Sequence, residues 1–88
     1  MGLKEDFNLS ADKVKTLKSS PSNDDLLVLY SLFKQATVGD NTTDKPGMLD
    51  FKGKAKWEAW NGRKGMNADD AMKQYIEKVE VLVTSIGV

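Results

Sequence analysis

Lysines and aromatic residues recur at helical spacing in the middle of the sequence. Tyr30, Phe33 and Lys34 stand three and four residues apart, so a helix would place them on one face. Lys52 and Lys56, four apart, would share a face of another helix. A phosphorylated nucleotide would use both residue types, because its phosphates bind lysine and its base stacks on an aromatic ring.

Tyr75 adds a phenolic hydroxyl to a later apolar stripe. A polar tip on a half-buried aromatic side chain usually serves a hydrogen bond or an interface. In the alternative interpretation, the lysines form a solvated face and the aromatic rings belong to the core. Composition alone favours this second interpretation.

Catalytic and metal chemistry are poorly supported by the residue types present. The 88 residues include no histidine and no cysteine, which excludes zinc sites of the usual kind, histidine-based triads and cysteine–histidine dyads. The acidic pairs Asp24–Asp25 and Asp69–Asp70 lie at predicted helix N-termini, where carboxylates stabilise the helix dipole. We therefore expect neither an enzyme nor a metal site.

The charges balance globally but not locally. Thirteen basic and thirteen acidic residues give a net charge of zero, which argues against a nucleic-acid-binding protein. Residues 34–64 nevertheless carry an excess of three positive charges, so a local anion site is possible. The sequence has no targeting signal and no membrane-spanning run, and we expect a cytoplasmic protein without stable membrane insertion.

Four segments show helical periodicity, and a chain of this length is expected to form one domain, residues 1–88. The predicted helices cover residues 4–18, 22–38, 51–62 and 67–86. The last includes a valine-rich stretch, residues 79–83, that could also be read as a strand. The upstream period and the absence of a hairpin partner favour a helix.

Polar residues and glycines predict where these helices begin and end. Ser22, Asp50 and Asn67 are expected N-caps, and Gly39 is an expected stop. Gly53 falls inside the third helix, which indicates close backbone packing or the approach of a ligand. The polar connection before that helix, residues 39–48, could be functional or a mere connector.

The connections predict how the four helices run. Short connections favour antiparallel neighbours, whereas the long central one can span a bundle and leave helices two and three parallel. The sequence therefore predicts an all-α, single-domain, up-down-down-up four-helix bundle.

Two long motifs resemble the acyl-CoA-binding protein family, also called the diazepam-binding-inhibitor family. They are YSLFKQATVGD, residues 30–40, and KPGMLDFKGKAKWEAW, residues 45–60. Similarity continues through residues 69–72 and 75–79 and covers nearly the whole chain, residues 7–87. The resemblance implies a skewed four-helix bundle with an open bowl. It also implies an acyl-CoA-binding domain that binds one medium- to long-chain fatty acyl-CoA ester with high affinity.

The resemblance implies a carrier and pool former of lipid metabolism rather than a catalyst. Such a protein needs no cofactor beyond its acyl-CoA ligand and is expected to be a monomer. Transient contact with membranes or with acyl-CoA-using enzymes is compatible with that role. Two other classes remain open, a protein–protein adaptor bundle and an acyl-CoA-consuming enzyme. Nothing in the sequence indicates a secreted signalling peptide.

The resemblance also assigns candidate roles to the lysines and aromatic residues. Tyr30, Lys34 and Lys56 match positions that hold the 3′-phosphate of the CoA head group. Phe33 stands where the family usually has a tyrosine that stacks on adenine, so ring stacking is expected to persist without the hydroxyl. Tyr75 matches a ligand-contacting tyrosine of helix four.

Four further positions complete the candidate site. Leu26 and Leu27 match residues that line the acyl path, and Lys15 matches a helix-one lysine near the head group. Lys52 is included because it is predicted to share the face of Lys56.

Overall fold

The computed structural model describes residues 2–88 and contains no β-strand among them. Its four α-helices are α1 (Leu3–Lys13), α2 (Asn23–Thr37), α3 (Phe51–Asn61) and α4 (Ala68–Ile86). The predicted all-α class is confirmed, and the valine-rich stretch near the C-terminus lies within α4. No helix of the described chain is both long enough and apolar enough to cross a membrane.

The predicted N-caps form as expected. The side chains of Ser22, Asp50 and Asn67 each accept a hydrogen bond from the backbone N–H three residues later, at 3.1, 3.0 and 2.7 Å. These bonds satisfy donors that the first helical turn leaves without partners. Gly39 follows the end of α2 with φ at +99°, a left-handed conformation that glycine adopts without strain.

The first helix is shorter than the spacing predicted. Regular α-helix ends at Lys13, and a single 3₁₀ turn, Val14–Thr16, follows in place of a helix extending to residue 18. The N–H of Lys18 donates instead to the carbonyl of Gly87 at 2.9 Å, which draws the chain toward the end of α4. The segment after Thr16 is therefore free of helical bonding and can line a cavity.

The close approach at Gly53 is made by the cap of its own helix. A Cβ at this position would collide with the carboxylate of Asp50. The glycine therefore leaves room for the capping side chain, a reason the sequence interpretation did not anticipate.

Side-chain contacts give the direction of α1 and α2 relative to α4. Phe7 contacts Tyr75, and Lys13 pairs with Glu80 at 3.6 Å, so α1 and α4 run parallel. Helix α2 is antiparallel to α4, because its first turn pairs with residue 78 and its last turn bonds to residue 66.

Helix α3 runs parallel to α2. Leu27 near the start of α2 and Phe51 at the start of α3 line the same cavity, and Arg63 just beyond the end of α3 donates a hydrogen bond to Ser31. The predicted up-down-down-up order is thus confirmed. Of the consecutive pairs, however, only α2 and α3 are backbone neighbours: within residues 2–88, α4 packs on α1 and α2, and α3 packs on α2 alone.

The core lies where α4 meets α1 and α2. Its buried side chains come from three helices and comprise Phe7, Leu29, Leu32, Ala36, Ala71, Tyr75, Val79 and Leu82. Helix α3 contributes nothing to this group. It packs on α2, and both of its tryptophans donate hydrogen bonds to the preceding connection. One side of α2 is therefore left open between the helix starts.

A hydrogen-bonded group of side chains, here called the polar cluster (Gln35, Asp40, Asn41, Trp57 and Trp60), ties the central connection to the helices. Gln35, Asn41 and Trp60 are buried, whereas Asp40 is exposed. Gln35 Nε2 donates to Asp40 Oδ1 and to a backbone carbonyl of the α3–α4 turn, both at 2.8 Å. Trp60 Nε1 donates to the carbonyl of residue 39 at 2.8 Å. Asn41 accepts from the backbone N–H and the hydroxyl of residue 43. These bonds show that the start of the long connection has a structural role.

Candidate functional site

One face of α2 borders a cavity of about 710 Å³. Tyr30, Phe33 and Lys34 line it together, as their i, i+3, i+4 spacing predicted. Helix α3 contributes Lys56 and α4 contributes Tyr75 from the facing sides. The cavity therefore collects residues that lie far apart in the sequence.

Two lysines at this cavity are held over aromatic rings. Lys34 Nζ lies 4.9 Å from the ring centroid of Trp60, and Lys56 Nζ lies 5.4 Å from that of Tyr30. Attraction between the ammonium group and the ring face contributes about 0.5–1 kcal/mol at an exposed site. It also limits the positions that these long side chains sample. The ammonium groups of α2 and α3 are thereby presented to the same space.

Phe33 is supported from behind by two other rings. It stacks on Phe7 at a centroid distance of 5.6 Å and lies 6.1 Å from Tyr75. Phe7 also meets Tyr75 edge-on at 5.0 Å. Because Phe33 remains 40% exposed whereas the other two are buried, the trio presents one open ring on a rigid base.

Tyr75 forms part of the cavity wall while most of its ring is buried. Burial raises the pKa of its phenol above the ordinary value, because the charged phenolate would lose solvation there. The hydroxyl stays protonated at neutral pH and can donate a hydrogen bond to an acceptor in the cavity.

A second, more apolar cavity of about 270 Å³ lies between the starts of α2 and α3. Leu26 lines both cavities, which are therefore adjacent. Leu27, Phe51 and Lys52 line the second cavity and not the first. Seven of the nine predicted site residues thus border the first cavity, while Leu27 and Lys52 belong to its neighbour.

The sequence interpretation missed the segment that closes the first cavity on the α1 side. Residues 17–21 line it, including Lys18 and Pro21. In the sequence, the Ser-Ser-Pro motif of residues 19–21 indicates only the end of the first helix, because proline disfavours helical geometry in the residue before it. The signal that could have been used is Lys18, which follows Lys15 by one helical turn.

The chemistry of the first cavity is that of an anion site. Its lining contains four lysines and, within the described part of the chain, no carboxylate: Lys15, Lys18, Lys34 and Lys56. Clustered ammonium groups with a partly exposed ring suit a phosphorylated ligand that has an aromatic group. Residues 2–88 include no group of acidic side chains suited to hold a metal ion.

Comparison with known proteins assigns this arrangement to a family. A family profile described as acyl CoA binding protein matches residues 4–79. The chain is 64% identical over 81 residues to an acyl-CoA-binding protein homolog of Caenorhabditis elegans, covering 92% of this chain and 94% of the relative. It is 61% identical to a homolog from Drosophila melanogaster, covering 90% and 92% of the two chains.

Solved structures agree with the sequence relatives. The crystal structure of Oryza sativa acyl-CoA-binding protein 2 superposes with a TM-score of 0.92 at 47% identity, covering 97% of this chain and 92% of the other. The solution structure of the yeast acyl coenzyme A binding protein superposes with a TM-score of 0.74 at 46% identity, covering 93% and 95%.

Proposed function

The chain belongs to the acyl-CoA-binding protein family, and from this premise we propose that it binds fatty acyl-CoA esters of medium to long chain length, one per molecule. It acts as an intracellular carrier and pool former for these esters in lipid metabolism. The observation that carries the proposal is a lysine-rich, ring-bearing cavity that shares Leu26 with an adjacent, more apolar one.

The first cavity takes the nucleotide end of the ligand. Lys34 and Lys56 bind the 3′-phosphate together with the hydroxyl of Tyr30, and Phe33 stacks on the adenine ring. Support comes from the two lysines held near their rings and from the open, well-backed face of Phe33. A base stacked on an aromatic ring is worth about 1–3 kcal/mol.

The remaining cavity residues act along the rest of the ligand. Lys15 lies near the head group, and Tyr75 donates its hydroxyl to the ligand. Leu26 and Leu27 line the acyl path, and Lys52 stands at its rim. Removing the tail from water supplies most of the driving force, about 0.8 kcal/mol per CH₂ and roughly 12 kcal/mol gross for a sixteen-carbon chain.

The proposal is for a carrier and not for an enzyme, working as a cytoplasmic monomer without a cofactor. The sequence supports this through residue types, because it has no histidine or cysteine to serve as base or nucleophile. Contacts with membranes and with enzymes that use acyl-CoA are transient, since the ligand has to be taken up and released.

Calorimetric titration with palmitoyl-CoA, CoA and palmitate tests the proposal. Palmitoyl-CoA is expected to bind most tightly, because only it fills both cavities. Tight binding of palmitate with weak binding of palmitoyl-CoA would overturn the assignment. Incubation with palmitoyl-CoA is expected to leave the thioester absorbance unchanged, whereas steady depletion would indicate an enzyme. Binding of no CoA ester at all would favour the adaptor alternative.

A further inference from the structure

The turn before α3 has unusual residues at its centre. The N–H of Asp50 donates to the carbonyl of Gly47 at 3.1 Å, which makes Met48 and Leu49 the two central residues of a four-residue turn. Such positions favour glycine, proline, asparagine and aspartate. Here they carry large apolar side chains that are 83% and 89% exposed.

Phe51, the first residue of α3, extends this feature with 73% exposure. Met48, Leu49 and Phe51, here called the apolar tip, are the three most exposed large hydrophobic side chains of residues 2–88. Exposed apolar groups that gather in this way mark interaction sites more often than isolated ones do. We therefore expect the apolar tip to contact a partner whose surface accommodates apolar side chains.

The charges beside the apolar tip favour an anionic partner. Lys52 and Lys54 follow it directly, and neither forms an ion pair with the described residues. The carboxylate of Asp50 is committed to the N-terminus of α3, where it accepts from the N–H of Gly53 at 3.0 Å. The positive charges of Lys52 and Lys54 are therefore less compensated within the protein than the negative charge of Asp50.

The apolar tip lies at the edge of the second cavity. Phe51 belongs to the tip and also lines that cavity, together with Lys52. A surface that receives the tip would therefore face the mouth of the cavity.

We propose that the apolar tip inserts shallowly into the surface of an anionic lipid bilayer, with Lys52 and Lys54 at the headgroups. Apolar insertion combined with lysine attraction is the usual basis of interfacial binding. A second copy of the chain fits less well, because three side chains on a convex turn fall far short of the roughly 1,200 Å² that a stable interface buries. Given the proposed function, the tip brings the acyl path to the membrane in which its cargo dissolves.

Flotation of the ligand-free protein with vesicles tests the insertion. The vesicles are phosphatidylcholine alone or mixed with phosphatidylserine. The double variant Met48→Ser/Leu49→Ser is expected to bind the anionic vesicles at least about tenfold more weakly than the original chain. Val81→Ser, which alters an exposed apolar residue of α4, is the matched control and should bind as the original does. Equal binding of the double variant, or no binding of the original chain, would overturn the proposal.

Two further measurements distinguish insertion from surface adsorption and from self-association. The fluorescence that the new tryptophan of Leu49→Trp adds to that of the original chain should shift to shorter wavelength with anionic vesicles. No shift in this added fluorescence would contradict insertion. A concentration-dependent dimer that the double variant abolishes would reassign the tip to self-association. The double variant should bind palmitoyl-CoA normally in vesicle-free solution. If the original chain binds vesicles but no palmitoyl-CoA, the proposed function fails while the membrane contact stands.

Discussion

The two sides of α2 use polar residues in opposite ways. On the cavity side, Lys34 and the ring of Phe33 are left accessible and are held in place by neighbouring rings. On the other side, Gln35 is 1% exposed and spends both amide hydrogens on protein acceptors. Sequence neighbours thus differ in whether their N–H donors are committed to acceptors within the protein, although the buried Oε1 of Gln35 has no hydrogen-bond partner among the described residues.

This difference teaches where stability and binding reside. A buried hydrogen bond is expensive to break, because the partner left behind loses both water and protein contacts. An exposed ammonium group contributes little to folding and keeps its charge available for a ligand. Substitutions in the polar cluster should therefore change folding, and substitutions at the cavity should change binding.

The largest expected effect is a loss of stability in Gln35→Ala. The substitution removes two partly buried hydrogen bonds and leaves a void, so the free energy of unfolding should fall by about 2–4 kcal/mol. Chemical denaturation measures this directly. The control Gln74→Ala removes an exposed glutamine of α4 and should change stability by less than about 0.5 kcal/mol. Similar losses in the two variants would abolish the contrast between the faces.

Removal of Lys34 or Lys56 should affect binding instead. Each Ala variant is expected to bind palmitoyl-CoA about 10- to 100-fold more weakly, since a charge-assisted bond to phosphate contributes about 1.5–3 kcal/mol. Stability should fall by no more than about 1 kcal/mol, the value of the lost contact with a ring. Lys73→Ala, an exposed lysine of α4, serves as the control. A large loss of stability with unchanged affinity would instead give these lysines a structural role.

Phe7 belongs to the core and also contacts the cavity side of α2, so its substitution tests whether stability and binding can be separated. It is buried, yet it forms the base on which Phe33 stacks. We expect Phe7→Leu to lower stability by about 1 kcal/mol and to weaken palmitoyl-CoA binding a few-fold, because the exposed ring loses its support.

The affinity for a ligand without adenine shows whether Phe7 acts through Phe33. Binding of palmitoyl-pantetheine should be unchanged in Phe7→Leu. A Phe33→Ala background should remove the effect of Phe7→Leu on palmitoyl-CoA. Equal weakening for both ligands would mean that Phe7 supports the fold alone.

Local signals in the sequence were sufficient for most of the fold. Ser22, Asp50 and Asn67 form the caps expected of them because capping involves only residues three apart. The end of α1 was predicted wrongly because the bond from Lys18 to Gly87 joins residues at opposite ends of the chain. No periodicity within the first helix reports such a contact.

The candidate site was only partly predictable for a similar reason. Helical spacing placed Tyr30, Phe33 and Lys34 on one face, and the structure brings Lys56 to the same cavity. Lys52 lines a different cavity because of the way α3 packs on α2. The sequence of α3 alone carries no signal of that packing. The ligand roles of all these residues remain predictions that the variants above test.

Acid should weaken the polar cluster through Asp40. Hydrogen bonds from the Gly65 backbone N–H and from Gln35 lower the pKa of this carboxyl below its ordinary value. Its stabilising contribution is therefore complete above that ordinary value, about 3.9, and is lost as pH falls through the lower folded pKa. In Asp40→Asn, the melting temperature should depend less steeply on pH below about 4. Asp12→Asn, an exposed position of α1, is the control, and equal slopes in both variants would contradict the assignment.

The smallest expected effect is that of Phe33→Tyr, which restores the residue that the family resemblance places there. Stacking uses the face of the ring, and that face is already backed by Phe7 and Tyr75. Calorimetry should therefore give an affinity for palmitoyl-CoA within about twofold of the original. A gain of tenfold, equivalent to about 1.4 kcal/mol, would mean that the added hydroxyl bonds to the ligand. Phe33→Leu removes the ring at similar polarity and should weaken binding at least about fivefold. If the leucine variant also binds normally, stacking contributes nothing at this position and the lysines alone distinguish the cavity side of α2.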